Sequence, residues 1–419
     1  MPTCRPWWGI SIAICVTAVT TAGLHGADWP QFRGAARDGI STETGLLRAW
    51  PAGGPKVLWT VPVAQGYAGA AIVAGRVYHH DYDEKTNEWG IYSRSLKDGK
   101  VLWHYKEPRV IRPNHAITRT VPAVDGKLVY SLDPKLGLHA FDAATGKQLW
   151  FRNLVADYKS VIPPWYNGQN PLLDGNRLIV ATGGDAIMVA LDKVTGKEIW
   201  RAPNPSKHTL THSSVMPVTI GGVKQYLYGT LNGPLAVSTD GKLLWEHRRK
   251  FNVAVAPSPI AADGGRVFMT GSYDAGSVMV RVQNGGGTFT SSTAFDMKMN
   301  EWNSEVHTPI VFKGHLFGVG KKKRGLFTCL TIDGKEVWTS DGKAAFELGS
   351  YLLADGMFFV LEGKTGILRL IEASTTAYRE LASAQVLSGP DVWAPMALSD
   401  GKLVIRDLTK MICLDVRGK

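Results

Sequence analysis

The chain has 419 residues, 44% hydrophobic and 20% charged, with 46 glycines and 14 tryptophans. That is ample apolar surface to offset chain entropy, so a disordered chain is excluded, and the glycine content implies many tight turns. The formal charge of +11 reads as a mildly basic solvated surface and carries no signature of a specific nucleic-acid partner.

The first 26 residues read as an export signal. Arg5 supplies a short positive region, and Trp7 to Ala22 is apolar and uncharged. This run is too short for a bilayer span of about 20 residues, and small residues follow it, so cleavage is expected between Ala22 and Ala27. Retention as an uncleaved anchor is the alternative. Ile14 before Cys15 is too large for a lipidation site. No later segment is a transmembrane candidate. Residues 27–53 form an extended segment, and 54–419 form one repeat domain.

The repeat is announced by tryptophan endings. Asp142-Ala-Ala-Thr-Gly-Lys-Gln-Leu-Trp150 and Asp192-Lys-Val-Thr-Gly-Lys-Glu-Ile-Trp200 are the fullest, and shorter forms end at Trp59, Trp103, Trp245 and Trp338. The gaps between the first five are 44, 47, 50 and 45 residues, and the next is 93, two periods with a degenerate unit ending near Phe295. Within each period an Asp-Gly turn separates two apolar runs, as in Pro122 to Tyr130 and Pro395 to Val404. Glycine supplies positive φ there without steric cost, which makes this a strong hairpin signal. Four antiparallel strands at this period, without a helical pattern, predict an all-β propeller.

Inner strands begin near Ala71, Pro122, Pro171, Pro217, Pro259, Pro309, Ser350 and Pro395, which makes eight blades. The last unit stops before its tryptophan strand, while the Trp59 strand has no inner strands before it. Joining the two closes the ring and removes free edges. Each tryptophan is expected to pack between blades and to need a partner for its indole N–H.

The Asp142–Trp150 and Asp192–Trp200 segments, with Ala140 and Ala190 before them, resemble the tryptophan-docking motif of the quinoprotein, or PQQ-like, propellers. The start Asp28-Trp-Pro-Gln-Phe-Arg-Gly34 resembles that of many exported PQQ-like repeat proteins, and the size resembles the BamB-type outer-membrane assembly proteins. The resemblance covers about residues 54–419. It implies a fold shared by enzymes and scaffolds, so function must come from the site. Many PQQ-dependent dehydrogenases, by that resemblance, carry two adjacent cysteines, a Ca²⁺ site of acidic and amide groups and a catalytic aspartate. Here the mature cysteines, Cys329 and Cys413, lie at equivalent places two blades apart, too far for a disulfide, and are expected to be free thiols.

In an up-and-down blade the repetitive turns share one face. The other face carries the variable residues. Tyr67, His115, Arg119, Trp165, Asn167, Gln169, His212, Asn252, Glu305, His307, Asp391 and Trp393 precede inner strands and are expected to ring the mouth of the central channel. On the same face Lys321, Lys322, Lys323 and Arg324 form a basic hairpin tip. His79 and His80 have metal-ligand chemistry, but alternation along a strand sends them to opposite faces, so no metal site is assigned. No catalytic residue is assigned.

The expectation is an exported, monomeric, non-catalytic propeller acting as a binding or assembly scaffold in the cell envelope. Its partner is an envelope protein or polymer, and it has no cofactor. The alternatives are a quinone-dependent oxidoreductase using PQQ with Ca²⁺, and a carbohydrate-binding or lytic module using the rim aromatics.

Overall fold

The computed structural model describes residues 1–3, 27–112, 115, 117–273, 275–320 and 325–418. The expected signal and the basic tip at Lys321, Lys322, Lys323 and Arg324 lie outside the described residues, apart from residues 1–3.

Eight four-stranded antiparallel sheets form the ring. Seven are continuous in sequence: Ala70 to Pro108, Ala123 to Asn153, Leu172 to Pro203, Met216 to Glu246, Ile260 to Met297, Ile310 to Thr339 and Tyr351 to Gln385. They are blades 1 to 7. Blade 8 runs from Ala397 to Asp415 and takes its outermost strand, Lys56–Pro62, from the start of the chain. Trp59 pairs with Cys413 across that seam, so the two incomplete ends do close the ring. One five-residue helix, Leu154–Tyr158, follows blade 2, its N-terminal amides held by Asn153.

The tryptophans join consecutive blades. Trp59, Trp103, Trp150, Trp200 and Trp338 each donate the indole N–H to a backbone carbonyl of the next blade: Leu96, Ala143, Lys193, Thr239 and Ser374, at 2.9–3.1 Å. The turn glycine of the next blade lies against the ring. A Cβ on Gly146 would stand 2.5 Å from Trp103, and one on Gly196 2.8 Å from Trp150. Glycine is required twice over, since Gly146 also has φ 74°. The turn aspartate completes the device. Asp142 accepts from the Ala144 and Thr145 amides and the Thr145 hydroxyl, which fixes the turn that presents the carbonyl. A bulge beside the tryptophan position recurs in the outer pair of every blade.

Trp245 departs from this pattern. Blade 5 replaces the short turn with a long hairpin of strands Ser277–Gly285 and Thr288–Met297. Trp245 instead donates to Gln225 Oε1 of its own blade at 2.7 Å. In blade 5 Phe295 takes the tryptophan's place, with Gly334 of blade 6 against its ring. In blade 7 the position is Ala382.

Two further devices hold the ring from inside. Just before successive inner strands, backbone amides donate to side chains of the next blade. Asn170 donates to Ser214 Oγ (3.0 Å), Ser214 to Ser258 Oγ (2.9 Å) and Ser258 to Thr308 Oγ1 (2.8 Å). The second device is the segment 27–49, which crosses the channel along the face of the repetitive turns. Trp29 bridges Ile72 of blade 1, and Pro30 accepts from Val124 of blade 2. Arg37 donates to Pro171 of blade 3 and Arg33 to Pro309 before blade 6. Ser41 donates to Leu353 of blade 7, and Glu43 accepts from the Asp400 and Gly401 amides of blade 8. On the face read as structural, the channel is thus crossed by the chain itself.

Candidate functional site

The segment before each inner strand emerges on the opposite face, and these segments converge on the axis. They enclose a cavity of about 330 Å³. Its floor includes Phe32, supplied by the crossing segment, so the channel is a cup closed at one end. Behind Phe32 the guanidinium of Arg37 lies 5.6 Å from the ring centroid.

Of the rim residues read from sequence, Tyr67, His115, Arg119, Trp165, His212, Glu305, His307 and Trp393 line the cup. Four do not. Asn167 is buried and bonds with its near neighbour Gln169. The Gln169 amide is spent on both backbone groups of Ala181, 2.8 and 3.0 Å away, so it braces an inner strand. Asn252 is exposed outside the cup. Asp391 stands behind the wall, accepting from the Tyr67 hydroxyl at 3.0 Å. Position before an inner strand brings eight of the twelve to the cavity, because side-chain direction there depends on loop geometry.

Two stacked aromatic pairs build the walls. Tyr67 lies over Trp393 with ring centroids 4.9 Å apart, and Trp165 over Tyr273 at 5.6 Å. Tyr273 comes from a turn in the degenerate blade 5, and nothing in the repeat marks it. Asn170, Ser214 and Phe32 also went unread as lining residues. Asn170 and Ser214 belong to the hydrogen-bond hoop, whose members share a position but not a residue type. Phe32 sits in the Trp29–Gly34 opening, a legible signature without a legible location.

The cup is neutral to positive in its histidine and arginine chemistry. Burial pushes His212 and His307 down to about 4, so both rings are neutral at pH 7. His307 donates Nε2–H to the Leu348 carbonyl at 3.0 Å, and the Trp393 backbone is a second partner of its ring. His212 has its Nε2 buried without a hydrogen-bond partner. Arg119 donates to the Trp165 and Ile117 carbonyls, and burial lowers it to about 10, still cationic. Below the floor Arg33 and Arg37 are lowered to about 10 and about 9, again by burial first. The acceptors of both are uncharged carbonyls and the Gln31 amide. The cup can therefore clasp a flat or ring-shaped molecule between aromatic walls and offer polar groups, the Glu305 carboxylate among them, to its edge.

Away from the cup, Cys329 and Cys413 are buried free thiols. His79 and His80 do point apart. His79 accepts from Arg94, and His80 contacts Ser131 and the Thr120 carbonyl. Among the described residues, one group of metal-ligand side chains comes together: Glu107, Asp133 and His139. Arg109 occupies it, 2.8 Å from Glu107 and 2.7 Å from Asp133. It is a partly buried ion-pair network.

Comparison with known proteins agrees with this architecture. The structure is similar to a BamB from Moraxella catarrhalis (TM-score 0.59, 14% identity, 86% of this chain and 97% of that one). It is also similar to a europium-containing methanol dehydrogenase (TM-score 0.65, 12% identity, 90% and 89%). A quinohemoprotein alcohol dehydrogenase from Pseudomonas putida HK5 is a third (TM-score 0.62, 12% identity, 94% and 81%). At these identities the likeness concerns the fold. In sequence, 197 residues are 27% identical to a tetrathionate hydrolase of Acidithiobacillus ferrooxidans, covering 44% of this chain and 38% of that protein. The chain thus matches well under half the length of that relative. The family model described as outer membrane protein assembly factor BamB matches residues 33–161 and 157–369, and the chain belongs to that family of PQQ-like β-propellers.

Proposed function

We propose that the chain is an exported, non-catalytic binding propeller of the cell envelope, working as a monomer, with the cup as its ligand site. The observation that carries this reading is the closed floor at Phe32 beneath two stacked aromatic pairs. An open polar tunnel would expose a ligand to solvent on both sides. A closed cup of about 330 Å³ lies at the small end of ligand pockets and suits one ring-bearing, polar molecule, such as the terminal unit of an envelope polymer. Export rests on the N-terminal pattern. Among the described residues no helix is long and apolar enough to cross a membrane.

The quinone reading fits the donor set poorly. Calcium takes six to eight oxygen ligands, several of them carboxylates. Among the described residues Glu305 is the one carboxylate lining the cup. The Asn170 amide is spent on Val121 and Ser214, and Asp391 is outside the lining, with one oxygen bonded to Tyr67. The buried thiols Cys329 and Cys413 lie in blades 6 and 8, outside the lining. The carbohydrate-binding alternative survives as the ligand class, since flat aromatic faces stack on sugar rings.

The test is titration of the purified mature protein with ring-bearing envelope sugars, read by tryptophan fluorescence, alongside dye-linked alcohol oxidation with added PQQ and Ca²⁺. Saturable quenching that Trp393→Ala abolishes supports the reading. Turnover with the quinone overturns it.

A further inference from the structure

Beside the cup, on the same face, the Thr230–Gly233 turn of blade 4 runs next to the connection 247–254 into blade 5. Phe251 donates to the Leu231 carbonyl at 2.7 Å and Arg249 to the Asn232 carbonyl at 3.0 Å. The two segments carry different chemistry on their two sides. Inward lies an apolar groove of about 230 Å³ that includes Val161, Pro163, Pro164, Leu231 and Val253, and it shares Trp165, His212 and Ala254 with the cup. Outward lies a cavity of about 500 Å³ that Asn232, Arg248, Arg249 and Lys250 help to line.

The charge of the outer cavity is specific. Arg249 is neutralised by a bidentate pair with Asp296 at 3.0–3.1 Å. Glu246 also lines it, with its two oxygens taken by Ser206 and His208. Arg248 and Lys250 are exposed, and among the described residues no carboxylate pairs with either. They are left to meet an anion from outside. The inner groove is hydrocarbon in character. Val161 is 61% and Val253 57% exposed, unusual for large apolar side chains in one place. Pro163 and Pro164 have no N–H, and Thr211 spends its hydroxyl and amide on Gly229 and Tyr228. Such a surface offers a peptide backbone little to bond, whereas an alkyl chain needs nothing.

We propose that these two cavities form one site for a single-chain anionic amphiphile. The head sits at Arg248 and Lys250, and the hydrocarbon lies over Leu231 and Val253 towards the cup. The proposal does not rest on what the cup itself holds, although the groove shares Trp165, His212 and Ala254 with it.

Dodecyl phosphate, kept below its micelle concentration, is titrated calorimetrically into the full mature chain, beside inorganic phosphate and dodecyl maltoside. Saturable binding of dodecyl phosphate that weakens with salt is expected, with much weaker binding of the other two. Arg248→Glu with Lys250→Glu should weaken it by about tenfold or more. Val253→Asp, or Val161→Asp if the first variant folds poorly, should do the same. Trp393→Ala, which disables the cup, should leave it unchanged. The proposal is overturned if dodecyl phosphate does not bind, if the charge variants bind it as well as the parent, or if phosphate alone or the neutral maltoside binds equally. Binding of an acidic peptide without alkyl phosphate binding would also overturn it, and would assign the patch to a protein partner.

Discussion

Gly146 lies so close over the indole of Trp103 that a Cβ would stand 2.5 Å from the ring. Gly146→Ala should therefore destabilise the protein by about 2–4 kcal/mol, from the clash and the positive φ together. Gly126→Ala has a similar φ of 89° but nothing within 4 Å, and should cost only about 1 kcal/mol. Urea denaturation of both variants separates docking from backbone strain. Equal losses would show that the tryptophan contact contributes little.

Arg37 is fully buried and donates to the Pro171 and Asn170 carbonyls. Arg37→Met removes the charge but orphans two buried acceptors, at about 1–3 kcal/mol each if water cannot reach them. Thermal unfolding should show a lowered midpoint. The segment 27–49 supplies Phe32 to the cup floor, so the same variant should also weaken any ligand that quenches the cup tryptophans. A variant with unchanged stability and unchanged binding would place the segment elsewhere.

The pH dependence has a definite sign. His80, His212 and His307 are each lowered by burial from 6.5 to about 4. Between those values the unfolded chain binds protons that the native protein refuses. Stability present above pH 6.5 should therefore fall as the pH drops towards 4. His307→Gln should flatten that fall by its own share in a series of denaturant midpoints. An unchanged slope would mean that the native ring is protonated.

Cys329 and Cys413 are buried, and burial pushes both thiols up to about 12. The thiolate is the reactive species, so a thiol reagent at pH 8 should label neither in the native protein and both in urea. A reductant should leave the melting temperature unchanged. Rapid native labelling would show that blades 6 and 8 open locally.

The repeat was legible because each of its parts has a local cause. Asp142 to Trp150 states a turn, a strand and an inter-blade contact within nine residues, and the same letters recur along the chain. The orphan Trp59 strand and the unfinished last unit specified ring closure, because hydrogen-bonding edges must be paired. The face on which the cup opens was legible too, because blade topology puts the connections before the inner strands on one side, and eight of the twelve rim residues line the cup.

What only the tertiary structure decided was which of those residues meet. Asn167 and Gln169 turn inward to satisfy buried backbone, while Ser214 and Tyr273, which look ordinary in sequence, face the cavity. The segment 27–49 carries no repeat, so nothing local told that it crosses the channel and supplies Phe32 as a floor. Its position comes from contacts with blades far apart in the chain, Arg33 with Pro309 and Glu43 with Gly401. Periodic residues are set by neighbours a few positions away and can be read one period at a time. A cup on the axis is set by eight loops and one crossing segment at once, and exists only when the ring has closed.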